Sequence, residues 1–244
     1  MHLALSRQDH RPWPIPEQRW TWRQSWQDLL FAHWPISAKE LRPFVPAELE
    51  IEEFGGSSWI GVVPFRMTGV MRRGLPDLPW VSAFPELNVR LYVQHGGKPG
   101  VWFLSLDASN PLAVWAARRF FHLPYYRAQM ALRRDGADYV YASHRPGAEF
   151  KGRYRPCSGL EPAAPGTLEH WLTERYCLYA RDPHGTLWRN EVHHLPWPLQ
   201  RAEMEIERNT FFDFHGLAQP TSAPILHFAE RIDVVVWSGE RLSP

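Results

Sequence analysis

Hydrophobic positions along this chain recur mostly with the period of a strand. Trp20, Trp22 and Trp26 open an aromatic stretch over residues 20–34 that predicts a strand entering the core. Residues 59–67 form an apolar run between Gly55-Gly56 and Gly69, the pattern of a central strand. Three pairs of apolar or alternating runs flank turn sequences and predict hairpins. The first joins residues 84–93 to 101–106 across His95-Gly96-Gly97-Lys98-Pro99-Gly100. The second joins 129–134 to 138–144 across Asp135-Gly136, and the third joins 176–180 to 187–192 across Asp182-Pro183-His184-Gly185. Ala202, Met204 and Ile206 alternate with charged residues in a half-buried strand, and residues 232–237 make a last apolar one.

Helical signals are few. Ser37-Ala38-Lys39-Glu40 is a capping box with Ile36 and Leu41 as its staple, and Pro43 and Pro46 stop it within a turn or two. Asn110 and Pro111 start a helix that should reach about His122 and end before Pro124. Ala113, Ala116, Ala117 and Phe120 share one side of it. Thr167 opens a short helix with Leu168, Trp171 and Leu172 on one face. Residues 1–19 are polar and proline-rich, so they read as an extended arm, with a single domain over 20–244. The fold class is therefore α+β, mostly antiparallel β with a few short helices, best closed as a barrel or strongly curved sheet.

Composition sharpens this picture. Apolar residues make up 44% of the 244, enough for a sizeable core, and the 23 prolines favour short strands over long helices. The 13 Trp indoles need partners when buried, which places many at the core's edge or around a pocket. Net charge is +1, which excludes an electrostatic case for nucleic acid or an acidic membrane surface. Two cysteines, Cys157 and Cys177, are too far apart for a CxxC site and suit a reducing cytoplasm. No stretch has the length of a membrane-spanning helix. Only Lys39, Lys98 and Lys151 stand among 27 basic residues, so lysine chemistry has three candidates.

The richest stretch is Phe84-Pro85-Glu86-Leu87-Asn88-Val89-Arg90-Leu91-Tyr92-Val93. As a strand it puts Leu87, Val89, Leu91 and Val93 on one face and Glu86, Asn88, Arg90 and Tyr92 on the other. Turned inward, the second row is a polar site for a small molecule. Turned outward, it is an ordinary solvated surface.

Six spaced blocks carry a resemblance. They are residues 31–34, 41–46, 84–93, 106–109, 123–126 and Glu174-Arg175-Tyr176. In these blocks the chain resembles the YqjF-like uncharacterised proteins, a domain of unknown function (2071), collinearly over about residues 20–237. That family is distantly similar to acetoacetate decarboxylase. The resemblance implies a cone-like closed β-barrel with an internal cavity and an inward Glu86. The decarboxylase uses a lysine in a Gly-Phe-Pro-Lys-Lys run. The matching run here is His122-Leu123-Pro124-Tyr125-Tyr126, so tyrosines stand where the lysines would be. A phenol, with a pKa of about 10, forms no iminium with a ketone. None of the three lysines lies in this motif. Lys39 and Lys98 sit in a cap and a turn, while Lys151 lies on an expected strand whose facing the sequence leaves open.

Other constellations are weaker. His193-His194 point to opposite faces of a strand, no HExxH or HxH spacing occurs, and no metal is expected. His33 reads as a satisfied core histidine, and Asp107 as part of the cap region of the Asn110 helix. No GxSxG, Rossmann or P-loop pattern is present, and no cofactor is expected. The functional expectation is a cytoplasmic protein whose cavity binds a small carboxylate- or carbonyl-bearing molecule without a Schiff base. Its alternatives are a lysine-independent lyase or hydrolase, and an interaction protein with a filled barrel. Glu86 and Tyr125 are the catalytic candidates, with Asn88, Arg90, Tyr92 and Tyr126 as ligand contacts. Glu86 and Arg90 are expected to meet, and of the two tyrosines only one should enter the cavity, Tyr125 by the alignment. Neither nucleic acid nor membrane is expected as a partner, and homo-oligomerisation is left open.

Overall fold

A computed structural model describes residues 2–75 and 82–242. Strand makes up 51% of the described residues, and the helices among them are few and short. The strands are β1 (Trp22–Ile36), β2 (Glu50–Ile51), β3 (Ser58–Arg72), β4 (Phe84–His95), β5 (Lys98–Ala108), β6 (Tyr125–Arg127), β7 (Gln129–Asp135), β8 (Asp138–Arg145), β9 (Ala148–Pro156), β10 (Cys177–Arg181), β11 (Leu187–His194), β12 (Gln200–Asn209), β13 (Ile225–Val236) and β14 (Glu240–Arg241). The α-helices with described bounds are α1 (Ala38–Leu41), α2 (Pro111–Phe121), α3 (Leu168–Thr173) and α4 (Phe211–Phe214). All three expected hairpins form.

Sheet order runs β14-β11-β10-β5-β4-β3-β1-β13-β12-β9-β8-β7, and β11 also pairs with β13. That extra pairing returns the path to itself, so β11, β10, β5, β4, β3, β1 and β13 form a ring of strands. Beyond β13, the strands β12-β9-β8-β7 extend as a wing, while β14, β2 and β6 pair with β11, β4 and β5. Most pairings are antiparallel, but β5 pairs in parallel with both β6 and β10, which makes the sheet mixed.

Of the register irregularities in the ring, two bear on the site. Between Gln27 and Ala32, β1 carries one residue more than β3 opposite it, and Asp28 there takes a φ of 53°. Such a bulge curves a strand and increases its twist. The second lies in β5, where Val89 faces Ser105 but Arg90 faces Phe103. Leu104 is thus the extra residue, and the alternation of β5 inverts across it.

The wing gives β4 two buried faces. Leu87, Val89 and Leu91 pack in one core with Tyr141, Phe150 and Tyr154 of the wing. A second core inside the ring holds Phe31, Val63, Phe65 and Leu106. Each such side chain removed from water contributes about 1.5–3 kcal/mol, so both faces of β4 are held strongly.

Asn110 caps α2 as expected, its Oδ1 accepting from the Leu112 and Ala113 N–H groups. Ala113, Ala116, Ala117 and Phe121 face the ring interior, whereas Phe120 is exposed. Phe121 lies two full i+4 steps from Ala113, and the neighbouring residue is rotated off that stripe. Asp107 takes no part in the cap. It lies on β5, beyond the bulge, fully buried and ion-paired to Arg145 at 2.7 Å.

The N-terminal segment is not simply extended. Leu3–Ser6 is a 3₁₀ turn, Ala4 packs against Val235 and Trp237, and Arg11 forms a buried ion pair with Glu191 at 2.7 Å.

Candidate functional site

The ring encloses a cavity of about 160 Å³, closed at one side by α2. Most of its wall is apolar, including Trp26, Phe31, Phe65, Phe103 and Trp197. Its polar residues include Glu86, Asn88, Arg90, Tyr125, Arg175 and His194. The β5 bulge explains how both Phe103 and Leu106, of opposite parity, line it.

Glu86 is the chemical focus. Its side chain is buried, and the Tyr125 hydroxyl donates to its Oε2 at 2.9 Å. Burial drives the Glu86 pKa up to about 8, against the Tyr125 hydrogen bond, and the nearby Asp107 charge raises it further. The carboxyl is therefore mostly protonated at neutral pH. Burial and the Glu86 carboxyl together hold the Tyr125 phenol well above its usual range. Glu86 is anchored from behind, where Tyr141 donates its hydroxyl to the Glu86 carbonyl at 2.6 Å.

Arg90 does not meet Glu86. The two are four residues apart on one strand, about 13 Å at the usual rise, too far for a side-chain pair pointing the same way. Arg90 instead donates through Nε and Nη2 to the Tyr92 hydroxyl, at 3.3 and 3.1 Å, and through Nη2 to the Leu172 carbonyl at 2.9 Å. With its oxygen lone pairs taken, Tyr92 has one proton left, and it points at His33 Nε2, 2.6 Å away. That geometry assigns the His33 proton to Nδ1. It agrees with a His33 pKa held well below the usual value by burial first and by the Arg90 charge next. Gly61 makes room for this arrangement: a Cβ there would stand 2.9 Å from His33 Cδ2 and 3.3 Å from Arg90 Cγ.

Tyr92 itself is buried beneath the cavity and does not line it. Of the two tyrosines after α2, Tyr125 enters the cavity and Tyr126 turns away, stacking under the Arg145 guanidinium 4.0 Å from its ring. Asn88 lines the cavity, and its Oδ1 is buried without a hydrogen-bond partner in the protein.

Several lining residues escaped the sequence reading. Arg175 donates through Nε to the Trp171 carbonyl at 2.7 Å, ion-pairs with Glu52 through Nη1, and leaves Nη2 buried and unpartnered. The indole N–H groups of Trp26 and Trp197 are likewise buried and unpartnered. The one available signal for Arg175 was its place in the Glu174-Arg175-Tyr176 block, directly after a short helix.

No lysine lines the cavity. Lys151 ion-pairs with Glu207 at 2.5 Å on the wing, Lys98 reaches Glu191 at 3.4 Å, and Lys39 is exposed. Among the described residues no group of three or more His, Cys, Asp and Glu could hold a metal ion, and no helix is long and apolar enough to cross a membrane. His193 and His194 bond separately, through Nε2, to the Arg7 and Arg175 carbonyls.

The profile of domain of unknown function 2071, described as an uncharacterized conserved protein, matches residues 23–233. The chain belongs to this family. It is 46% identical over 226 residues to the uncharacterized protein YqjF of Bacillus subtilis (strain 168), covering 91% of this chain and 93% of that protein. The fold is that of the acetoacetate decarboxylase-like proteins. Acetoacetate decarboxylase from Legionella pneumophila superposes with a TM-score of 0.63 at 12% identity, over 96% of this chain and 93% of its own. The enduracididine biosynthesis enzyme MppR, complexed with the condensation product of pyruvate and imidazole 4-carboxaldehyde, gives 0.67 at 14% identity, over 91% and 89%.

Proposed function

We propose that the ring cavity binds a small organic molecule bearing a carbonyl or carboxylate group, and does so without a lysine Schiff base. The observation that carries this reading is the Glu86–Tyr125 pair. A protonated carboxyl and a phenol share a buried, mainly apolar cavity, where a hydrogen bond to a carbonyl oxygen is strengthened by low dielectric. MppR, of the same fold, is complexed with a pyruvate-derived compound, which favours this ligand class here as well.

A second reading makes the protein a lysine-independent lyase or hydrolase. It is favoured by the Glu86 pKa of about 8, which suits an acid that protonates a carbonyl oxygen or a departing group near neutral pH. On either reading residues 20–244 act as one domain, with 1–19 as an arm packed on it, and the free Cys157 and Cys177 suit a cytoplasmic location.

Native mass spectrometry of the purified protein tests the proposal. A retained organic compound, lost or weakened in Tyr125→Phe at unchanged melting temperature, supports it. Loss of stability with unchanged retention returns Tyr125 to a packing role. Turnover of the retained compound separates the enzyme from the binder.

A further inference from the structure

The cavity wall carries an uneven charge. Arg90 is buried, and its hydrogen bonds go to neutral oxygens, the Tyr92 hydroxyl and the Leu172 carbonyl. Arg175, the second guanidinium on the wall, has Glu52 as its carboxylate. Among the described residues no carboxylate forms an ion pair with Arg90. Among the described residues Glu86 is the one carboxyl lining the cavity, and it is bonded to Tyr125 instead. Its raised pKa keeps it mostly neutral near pH 7. Two cations thus share one anion, and a buried charge left without a counter-charge is costly.

The unpartnered groups on the same wall lean the same way. Among the described residues, Arg175 Nη2 and the indole N–H groups of Trp26 and Trp197 are donors, against one acceptor, Asn88 Oδ1. An occupant must therefore bring mainly acceptors. The aromatic side chains supply the rest of the description. The Arg90 guanidinium lies 4.9 Å from the Phe31 ring, Phe31 meets the Trp197 ring edge-on at 4.8 Å, and Trp197 stacks on Trp26 at 5.8 Å. Guanidinium and rings form one continuous surface. A cavity of about 150 Å³ with apolar walls accommodates benzene, and this one measures about 160 Å³.

We propose that the ligand is a monocarboxylic acid with a flat apolar body, its carboxylate taken by Arg90 and Arg175 and its body lying against Phe31, Trp197 and Trp26. The inference rests on the cavity-binding reading above and narrows it. Sugars and polyols fail to match the scarcity of acceptors. Dianions such as phosphate monoesters overshoot the single uncompensated charge. A carbonyl or hydroxyl on the acid would fall to the Glu86–Tyr125 end.

Calorimetric titration of the full chain at neutral pH with phenylacetate, phenylacetamide and phenylethanol tests it. Phenylacetate should bind at least about tenfold tighter than either neutral analogue, the scale of charge-assisted hydrogen bonds over neutral ones. In Arg90→Gln that preference should fall below about threefold. If this variant does not fold, the comparison of the three compounds on the native protein decides alone. Equal or tighter binding of phenylacetamide overturns the monocarboxylate assignment and leaves the cavity reading standing. No heat and no thermal shift with any of the three at millimolar concentration overturns both.

Discussion

Glu86→Gln gives the sharpest test of the site, because its effect on stability has a definite sign and window. Glu86 titrates at 4.5 in an exposed chain and at about 8 in the folded protein, chiefly because burial disfavours its charge. The folded state therefore binds the proton more tightly than the unfolded state. Its stabilising effect is complete below about pH 4.5 and is lost as pH rises to about 8 and beyond. At about 1.4 kcal/mol per tenfold change, the full loss is about 5 kcal/mol, of which about 3 kcal/mol has already gone at pH 7. Glutamine keeps the side-chain shape, still accepts from the Tyr125 hydroxyl, and has nothing to ionise. The variant should match the native protein within about 1 kcal/mol near pH 5 and exceed it by about 3–5 kcal/mol near pH 9. Urea unfolding of both proteins across this range measures the difference directly. Other titrating groups, Asp107 among them, are common to both and largely cancel. In thermal scans about 3 kcal/mol corresponds to roughly 6–12 °C. Parallel stability curves between about pH 6 and 9 would refute the assignment of Glu86 as a buried, mostly protonated carboxyl.

Three further outcomes follow from the geometry. Tyr92→Phe removes the acceptor of two Arg90 hydrogen bonds and the donor to His33, so it should cost about 2–3 kcal/mol in denaturant unfolding; a loss below about 0.5 kcal/mol would show that water replaces the phenol. Asp107→Ala leaves Arg145 buried and uncompensated and should cost about 3–5 kcal/mol, while phenylacetate affinity stays the same because Asp107 faces the wing; an intact stability curve would contradict the buried pair. Borohydride with acetoacetate should leave no covalent adduct by intact-mass analysis, since no lysine lines the cavity, and an adduct mapped to Lys151 would overturn the exclusion of Schiff-base chemistry.

The strands were legible because period-two patterning survives wherever one face is apolar, as in residues 129–134 and 200–206. What the pattern could not convey was the effect of one inserted residue. Asp107 reads as cap chemistry from its neighbours Ser109 and Asn110. The Leu104 bulge instead turns Ser105 and Asp107 toward the wing, where Asp107 meets Arg145 and Ser143. Arg145 lies 38 positions away in sequence, so no local spacing points to it. The same limit hid Arg175, whose partner Glu52 lies 123 positions away.

The polar row on β4 shows how far alternation carries an argument about a site. Alternation correctly put Glu86, Asn88, Arg90 and Tyr92 on one face, and the resemblance to the decarboxylases supplied the inward direction. Length then divides the row. From Glu86 to Tyr92 the strand advances about 20 Å, more than a cavity of about 160 Å³ can span. Glu86, Asn88 and Arg90 reach the cavity, and Tyr92 lies beyond its floor. Its hydroxyl then serves Arg90 from behind, accepting from the guanidinium and donating its own hydrogen bond to His33. A row that reads as four equivalent ligand contacts is thus three wall residues and one support. On the proposed monocarboxylate reading the support matters for recognition, because a guanidinium held by its Nε and Nη2 cannot swing away from a carboxylate that arrives at its remaining face.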